Sequence, residues 1–118
     1  KDGTCVRDYI HVVDVAKAHI SAVDRMINNK ISEKFEVYNL GMGVGVSVLE
    51  MVNAFEEATG IKIKYNITAR REGDVEAVYA DTTKANQILN WKTEKTLTDA
   101  MRDAWNWEKE LMNNSNLI

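Results

Sequence analysis

Proline is absent from these 118 residues, where ordinary usage of about 5% would supply about six. A proline-rich linker, a polyproline arm and a collagen-like repeat are thereby excluded. Cysteine occurs once, as Cys5, so no disulfide can close within the chain, which fits a reducing cytoplasmic setting. Basic charge is scarce: 15 Lys and Arg face 18 Asp and Glu, a formal charge of -3, with no Lys/Arg block. Nucleic acid is therefore not an expected partner, because phosphate neutralisation needs clustered cations. No apolar run approaches the roughly 18 to 20 residues that span a bilayer, and no signal peptide is expected. His11 and His19, the two histidines, lack metal-ligand spacing, so no metal is expected.

What is present is ordinary globular material, 45% hydrophobic and 28% charged. A chain of this length typically buries about two-thirds of its unfolded surface, so residues 1–118 are expected to form one domain. The opening Lys1-Asp2-Gly3-Thr4 is not a natural translation start, which suggests a piece of a longer chain. Asn66-Ile67-Thr68 and Asn113-Asn114-Ser115 fit the glycosylation pattern, a chance match in a cytosolic chain.

Period and punctuation predict alternating short strands and helices. Val6–Val12 reads as a strand, and Asp14 as the N-cap of a helix whose apolar stripe includes Val15, Ala18, Ala22, Val23 and Met26. His19 falls on that stripe and is expected to be half-buried packing. Phe35–Leu40 reads as a strand broken by a glycine cluster, Gly41 to Gly45. Ser47-Val48-Leu49-Glu50 then has the capping-box pattern for a helix ending at Gly60. Ile61–Thr68 alternates like a half-exposed strand. Asp81 and Thr82 can cap a short helix through Leu89, Thr96 with Asp99 can start a last one, and Met112–Ile118 should fray. Trp91, Trp105 and Trp107 read as packing anchors.

Familiar catalytic arrangements are missing. The glycine cluster follows a strand and precedes a helix, but Val46 stands where G-x-G-x-x-G requires glycine, and Glu50 would occupy an amide that a pyrophosphate needs. A structural turn fits better than a cofactor site. No Tyr has a Lys four residues on, and neither G-x-S-x-G nor a Walker loop occurs. Glu56 and Glu57 read as solvated charge on an exposed helix face. No catalytic residue is expected in this chain.

Two arginines remain. Arg7 stands in a strand-like run, where a guanidinium is costly unless it reaches water or a partner, and Arg71 lies in a loop beside Asp74. Converging, the two would clamp a diphosphate bidentately, with a carboxylate nearby to accept from sugar hydroxyls. The residues alone favour the simpler alternative, an Arg–Asp ion pair and a solvated turn.

Certain stretches carry a family resemblance: Val6-Arg7-Asp8-Tyr9-Ile10-His11-Val12, Tyr38-Asn39-Leu40-Gly41, Gly43 to Met51, Arg70-Arg71-Glu72-Gly73-Asp74, Tyr79-Ala80-Asp81, Leu89-Asn90-Trp91 and Ala104-Trp105-Asn106-Trp107. Together they span nearly the whole chain and closely resemble the UDP-glucose 4-epimerase family of extended short-chain dehydrogenases/reductases. The resemblance implies a small mixed α/β C-terminal substrate-binding domain without its Rossmann domain. It implies that Arg7 and Arg71 hold the UDP diphosphate and that Asp74 binds the uridine ribose. NAD and the catalytic Tyr–Lys pair would belong to an N-terminal domain absent here. The partners implied are UDP-glucose and UDP-galactose, in a cytoplasmic homodimer. Met42 departs from the family's usual Thr in the glycine turn. Val78 matches a pocket position that is Tyr in some members and small in others; as a small residue it leaves room for a 2-acetamido group and so for UDP-N-acetylhexosamines. Alternatives are a free-standing nucleotide-sugar binding or interaction module and a fragment of a related sugar-nucleotide dehydratase or decarboxylase.

Overall fold

The structure, a computed structural model, describes residues 2–31 and 33–114. Its elements run β1 (Val6–Arg7), α1 (Val12–Ile27), β2 (Val46–Ser47), α2 (Val48–Thr59), α3 (Thr83–Ile88) and α4 (Leu97–Asn113). This is the expected small mixed α/β architecture, with far less strand than the sequence suggests.

β1 has backbone partners on both sides. On one side it pairs antiparallel with β2, Val6 opposite Ser47 and Arg7 opposite Val46. On the other, Val6 forms a parallel bridge to Ala77, with the Val6 amide donating to Glu76 O at 2.9 Å and the Val78 amide to Val6 O at 3.0 Å. β1 thus carries Arg7 between the turn that precedes α2 and the segment that follows Asp74.

Helix ends follow local chemistry. At α2 the Ser47 hydroxyl accepts from the Glu50 amide at 3.1 Å, the Glu50 carboxylate accepts from the Ser47 amide at 2.8 Å, and Gly60 closes the helix at φ 73°. Thr96 and Asp99 build the same box at α4. At α3 the carboxylate of Asp81, rather than the hydroxyl of Thr82, takes the Thr83 amide at 3.0 Å. α2 and α4 pack together, with Phe55 and Trp105 edge to face at 5.7 Å.

The start of α1 corrects the sequence reading. His11 is the N-cap, its Nδ1 accepting from the Val13 amide at 3.0 Å. Asp14 lies within the first turn and is fully buried, its Oδ2 accepting from the Glu94 and Lys95 amides at 3.2 and 3.0 Å. The Trp91 indole donates to Asp14 O at 2.9 Å. Asp14 therefore pins the 91–95 segment across α1, a task invisible in local sequence. Around this pin sits the main core, Ala18, Ala85, Leu89 and Trp91, flanked by Ile10, Ala22, Tyr38 and Leu40.

Further expectations are corrected. The strand over Val6–Val12 ends at Arg7, because the next residues turn to start α1. Phe35–Leu40 and Ile61–Thr68 form no strand among the described residues, since no neighbouring backbone there offers a ladder; Phe35 is 74% exposed, and every residue from Ile61 to Thr68 is exposed. His19 is exposed, its Nδ1 lying 2.8 Å from Val15 O. Trp91 is buried and Trp105 packs on Phe55, but Trp107 is 60% exposed. Glu56 is half-buried, accepting from the Ile63 amide at 2.9 Å and pairing with Lys62. Met112 and Asn113 are still helical; Ser115 to Ile118 lie outside the described residues. The radius of gyration, 17.5 Å, exceeds the about 13 to 14 Å of a compact domain of this length, so the core is thin for the chain.

Candidate functional site

The loop 70–74 brings Arg71 back beside β1. Its Nε and one terminal nitrogen donate to the two Asp74 oxygens at 3.1 and 3.4 Å. From β1, an Arg7 nitrogen lies 3.9 Å from Asp74 Oδ1. The two guanidiniums, remote in sequence, therefore meet on one carboxylate. Both readings from sequence are visible at once: the ion pair exists, and the arginines converge.

The two cations are held differently. Arg7 is fixed, one terminal nitrogen donating to Val6 O at 2.7 Å and to Val75 O at 2.9 Å, with a side chain only 33% exposed. Arg71 is 86% exposed and held by Asp74 alone among the described contacts. An ion pair so exposed contributes about 0 to 1 kcal/mol, so Arg71 can change partners at small cost.

These three residues line a groove of about 490 Å³ whose other walls include Tyr9, Val48 and Tyr65. The groove combines two cations with aromatic and aliphatic surface, a lining suited to a ligand with an anionic centre and a planar or apolar extension. Val78 is not in this groove. It lines an adjoining hollow of about 570 Å³ with Asp8, Tyr38, Tyr79 and Asp81, and Arg7 forms part of both walls. Of the four residues expected at the site, three meet and the fourth lies next door, joined to them through Arg7.

The hollow has its own electrostatics. Tyr38 donates to Glu36 Oε2 at 2.6 Å, and Arg25 grips both Glu36 oxygens at 2.7 and 2.8 Å. Burial, then the bond to Glu36, pushes the Tyr38 hydroxyl above its ordinary value, so it stays a donor at neutral pH.

Sequence reasoning missed Asp8, Tyr9, Val48 and Tyr65. The signal for Asp8 was its place next to Arg7: adjacent strand residues face opposite ways, so two neighbouring charges need partners on two sides. The glycine turn is a structural one, as expected. Asp8 accepts from the Met42 and Gly43 amides at 2.8 and 3.2 Å, and a Cβ on Gly41 would come within 2.3 Å of Asp8 Oδ2. The amides that a dinucleotide phosphate would need are thus taken by Asp8, and Glu50 is taken up in the α2 cap, so the residues here do not fit NAD.

Comparison with known proteins now decides the family: the family described as GDP-mannose 4,6 dehydratase matches residues 1–104. The chain belongs to that family. It is 56% identical over 107 residues to UDP-glucose 4-epimerase 2 of Arabidopsis thaliana, covering 91% of this chain and 30% of that protein. A UDP-glucose 4-epimerase from Stenotrophomonas maltophila, solved with NAD and formylated UDP-arabinopyranose, superposes with a TM-score of 0.88 at 44% identity, covering 95% of this chain and 32% of that one. The UDP-Glc/GlcNAc 4-epimerase of Campylobacter jejuni superposes with a TM-score of 0.82 at 34% identity, over 93% of this chain and 32% of that one. The chain thus spans about 30% of the length of the curated relatives it matches. Among these family members the extended short-chain dehydrogenase/reductase fold, foreseen from the sequence, is the shared framework.

Proposed function

We propose that this chain is the UDP-sugar-binding part of a UDP-glucose 4-epimerase, an isomerase that interconverts UDP-glucose and UDP-galactose in galactose metabolism. The observation that carries the reading is the meeting of Arg7 and Arg71 on Asp74. Arg7, already anchored, presents a fixed cation to the diphosphate, while Arg71 exchanges Asp74 for a phosphate oxygen. Asp74, released from Arg71, becomes an acceptor for ribose hydroxyls. Val78 leaves space beside the hexose, which fits a parent enzyme that also takes UDP-N-acetylhexosamines. NAD, the hydride acceptor with which the Stenotrophomonas maltophila epimerase was solved, would be held by a further domain of the parent. The parent is proposed to be a cytoplasmic homodimer; among the described residues no helix is long and apolar enough to cross a membrane.

This chain supplies binding and orientation, and by itself is inactive. The test compares the isolated 118 residues with the full-length polypeptide. Epimerisation and NAD retention are expected only in the latter, and UDP binding to the former should be weak. Tight NAD binding by the isolated chain, or a full-length protein whose UDP affinity ignores the loss of both arginines, would refute the reading.

A further inference from the structure

Asp8 joins three stretches of chain at one point. Its Oδ1 accepts from the Met42 amide at 2.8 Å, and its Oδ2 accepts from the Gly43 and Ala80 amides, each at 3.2 Å. β1, the glycine turn and the segment after Val78 are remote in sequence, and this carboxylate is where they meet. The backbone ladder stops at Arg7, so the side chain of Asp8 continues the pairing that the backbone does not. Space around it is closed: a Cβ on Gly41 would lie 2.3 Å from Asp8 Oδ2 and 2.8 Å from Ala80 Cβ. An ionised acceptor holding three amides is strong and geometrically restrictive.

We infer that Asp8 is a positioning residue for the UDP-sugar site, setting Arg7 and Val78 relative to each other. Arg7 directly precedes it, and Val78 lies two residues before Ala80, which it holds. Both share the hollow that Asp8 lines. Small displacements of charged ligand-binding groups are costly, so loss of this junction acts on binding through Arg7. The inference rests on the UDP-sugar reading above.

The test uses the full-length enzyme, with Asp8→Asn, Arg7→Ala and the double variant, and reads UDP affinity by calorimetry alongside the thermal midpoint. Asp8→Asn is expected to weaken UDP binding about tenfold or more while NAD retention is unchanged. In the Arg7→Ala background the same substitution should lose most of that effect, a coupling that general loosening of the fold would not produce. UDP affinity unchanged in Asp8→Asn, or effects that simply add, would overturn the inference and leave the UDP-sugar reading standing. A wild-type enzyme that does not bind UDP would overturn both. Where Asp8→Asn does not fold, Gly41→Ala displaces the carboxylate without removing it: weakened UDP binding supports the inference and unchanged binding overturns it. If neither variant folds, Asp8 is a scaffold residue only and the inference fails.

Discussion

The Arg71 guanidinium donates to both oxygens of Asp74 from a side chain that is largely in solvent. An internal carboxylate thus occupies the cation that the proposed ligand would claim. Arg7, held by two carbonyls, does not depend on Asp74 for its place.

In the full-length enzyme, Arg71→Ala removes charge-assisted hydrogen bonds to the diphosphate and should weaken UDP binding by about 1.5 to 3 kcal/mol. Isothermal titration would register this as a dissociation constant higher by roughly ten- to 150-fold. Unchanged affinity would remove Arg71 from the clamp.

Asp74→Asn separates the two tasks given to that carboxylate. Inorganic pyrophosphate has no ribose, so it should bind the variant more tightly than the wild type, by up to about fivefold, because the competing anion is gone. UDP should not share the gain, since its ribose loses an ionised acceptor. Competition of each ligand against a fluorescent UDP analogue would distinguish these outcomes.

Val78→Tyr fills the hollow beside Arg7. Activity on UDP-N-acetylhexosamines should fall selectively, while UDP-glucose turnover is retained. Steady-state assays on both substrate pairs decide it: equal N-acetyl activity in the two enzymes would mean that Val78 does not set this specificity.

How much of this was legible follows from the range of each interaction. The capping boxes at Ser47–Glu50 and Thr96–Asp99 lie within one helical turn, and both were readable from spacing. Asp14 looked like a cap for the same local reason, yet its partners are the Glu94 and Lys95 amides, about 80 residues away. Ile61–Thr68 has the alternation of a strand, but a strand needs a neighbour that alternation cannot supply. Arg7 and Arg71 were noticed as a pair that could clamp a diphosphate if they converged, but the residues alone favoured a plain ion pair and only the family resemblance reversed that preference. Asp8 escaped because its place beside Arg7 signals only that it needs a partner, and the three amides that converge on it are remote in sequence.

Acid should loosen the start of α2. The Asp2 carboxyl is lowered from 3.8 to about 2, first by the Ser47 hydroxyl and then by Thr4. A depressed folded-state value means that its stabilisation is complete above the unfolded value and is lost as pH falls from about 4 through 2. The thermal midpoint of the wild type should therefore exceed that of Asp2→Asn near neutrality, and the gap should close over that interval. Glu56, Asp81 and Asp99 are depressed too, so the wild type falls in any case; the difference between the two proteins isolates Asp2. A gap independent of pH would show that the Asp2 charge is not what stabilises the turn.

That β1 has backbone partners on both sides has a temporal consequence. Its antiparallel neighbour lies about 40 residues later, and its other neighbour about 70. Helices α1 and α2 can form from their own caps as soon as they are made, whereas contacts of long sequence separation wait for loop closure. During synthesis, Arg7 stays without its carbonyl at Val75 until the 68 residues that separate the two have been made. The proposed anion clamp thus takes shape only after α1 and α2 have been made, although its first arginine precedes both helices.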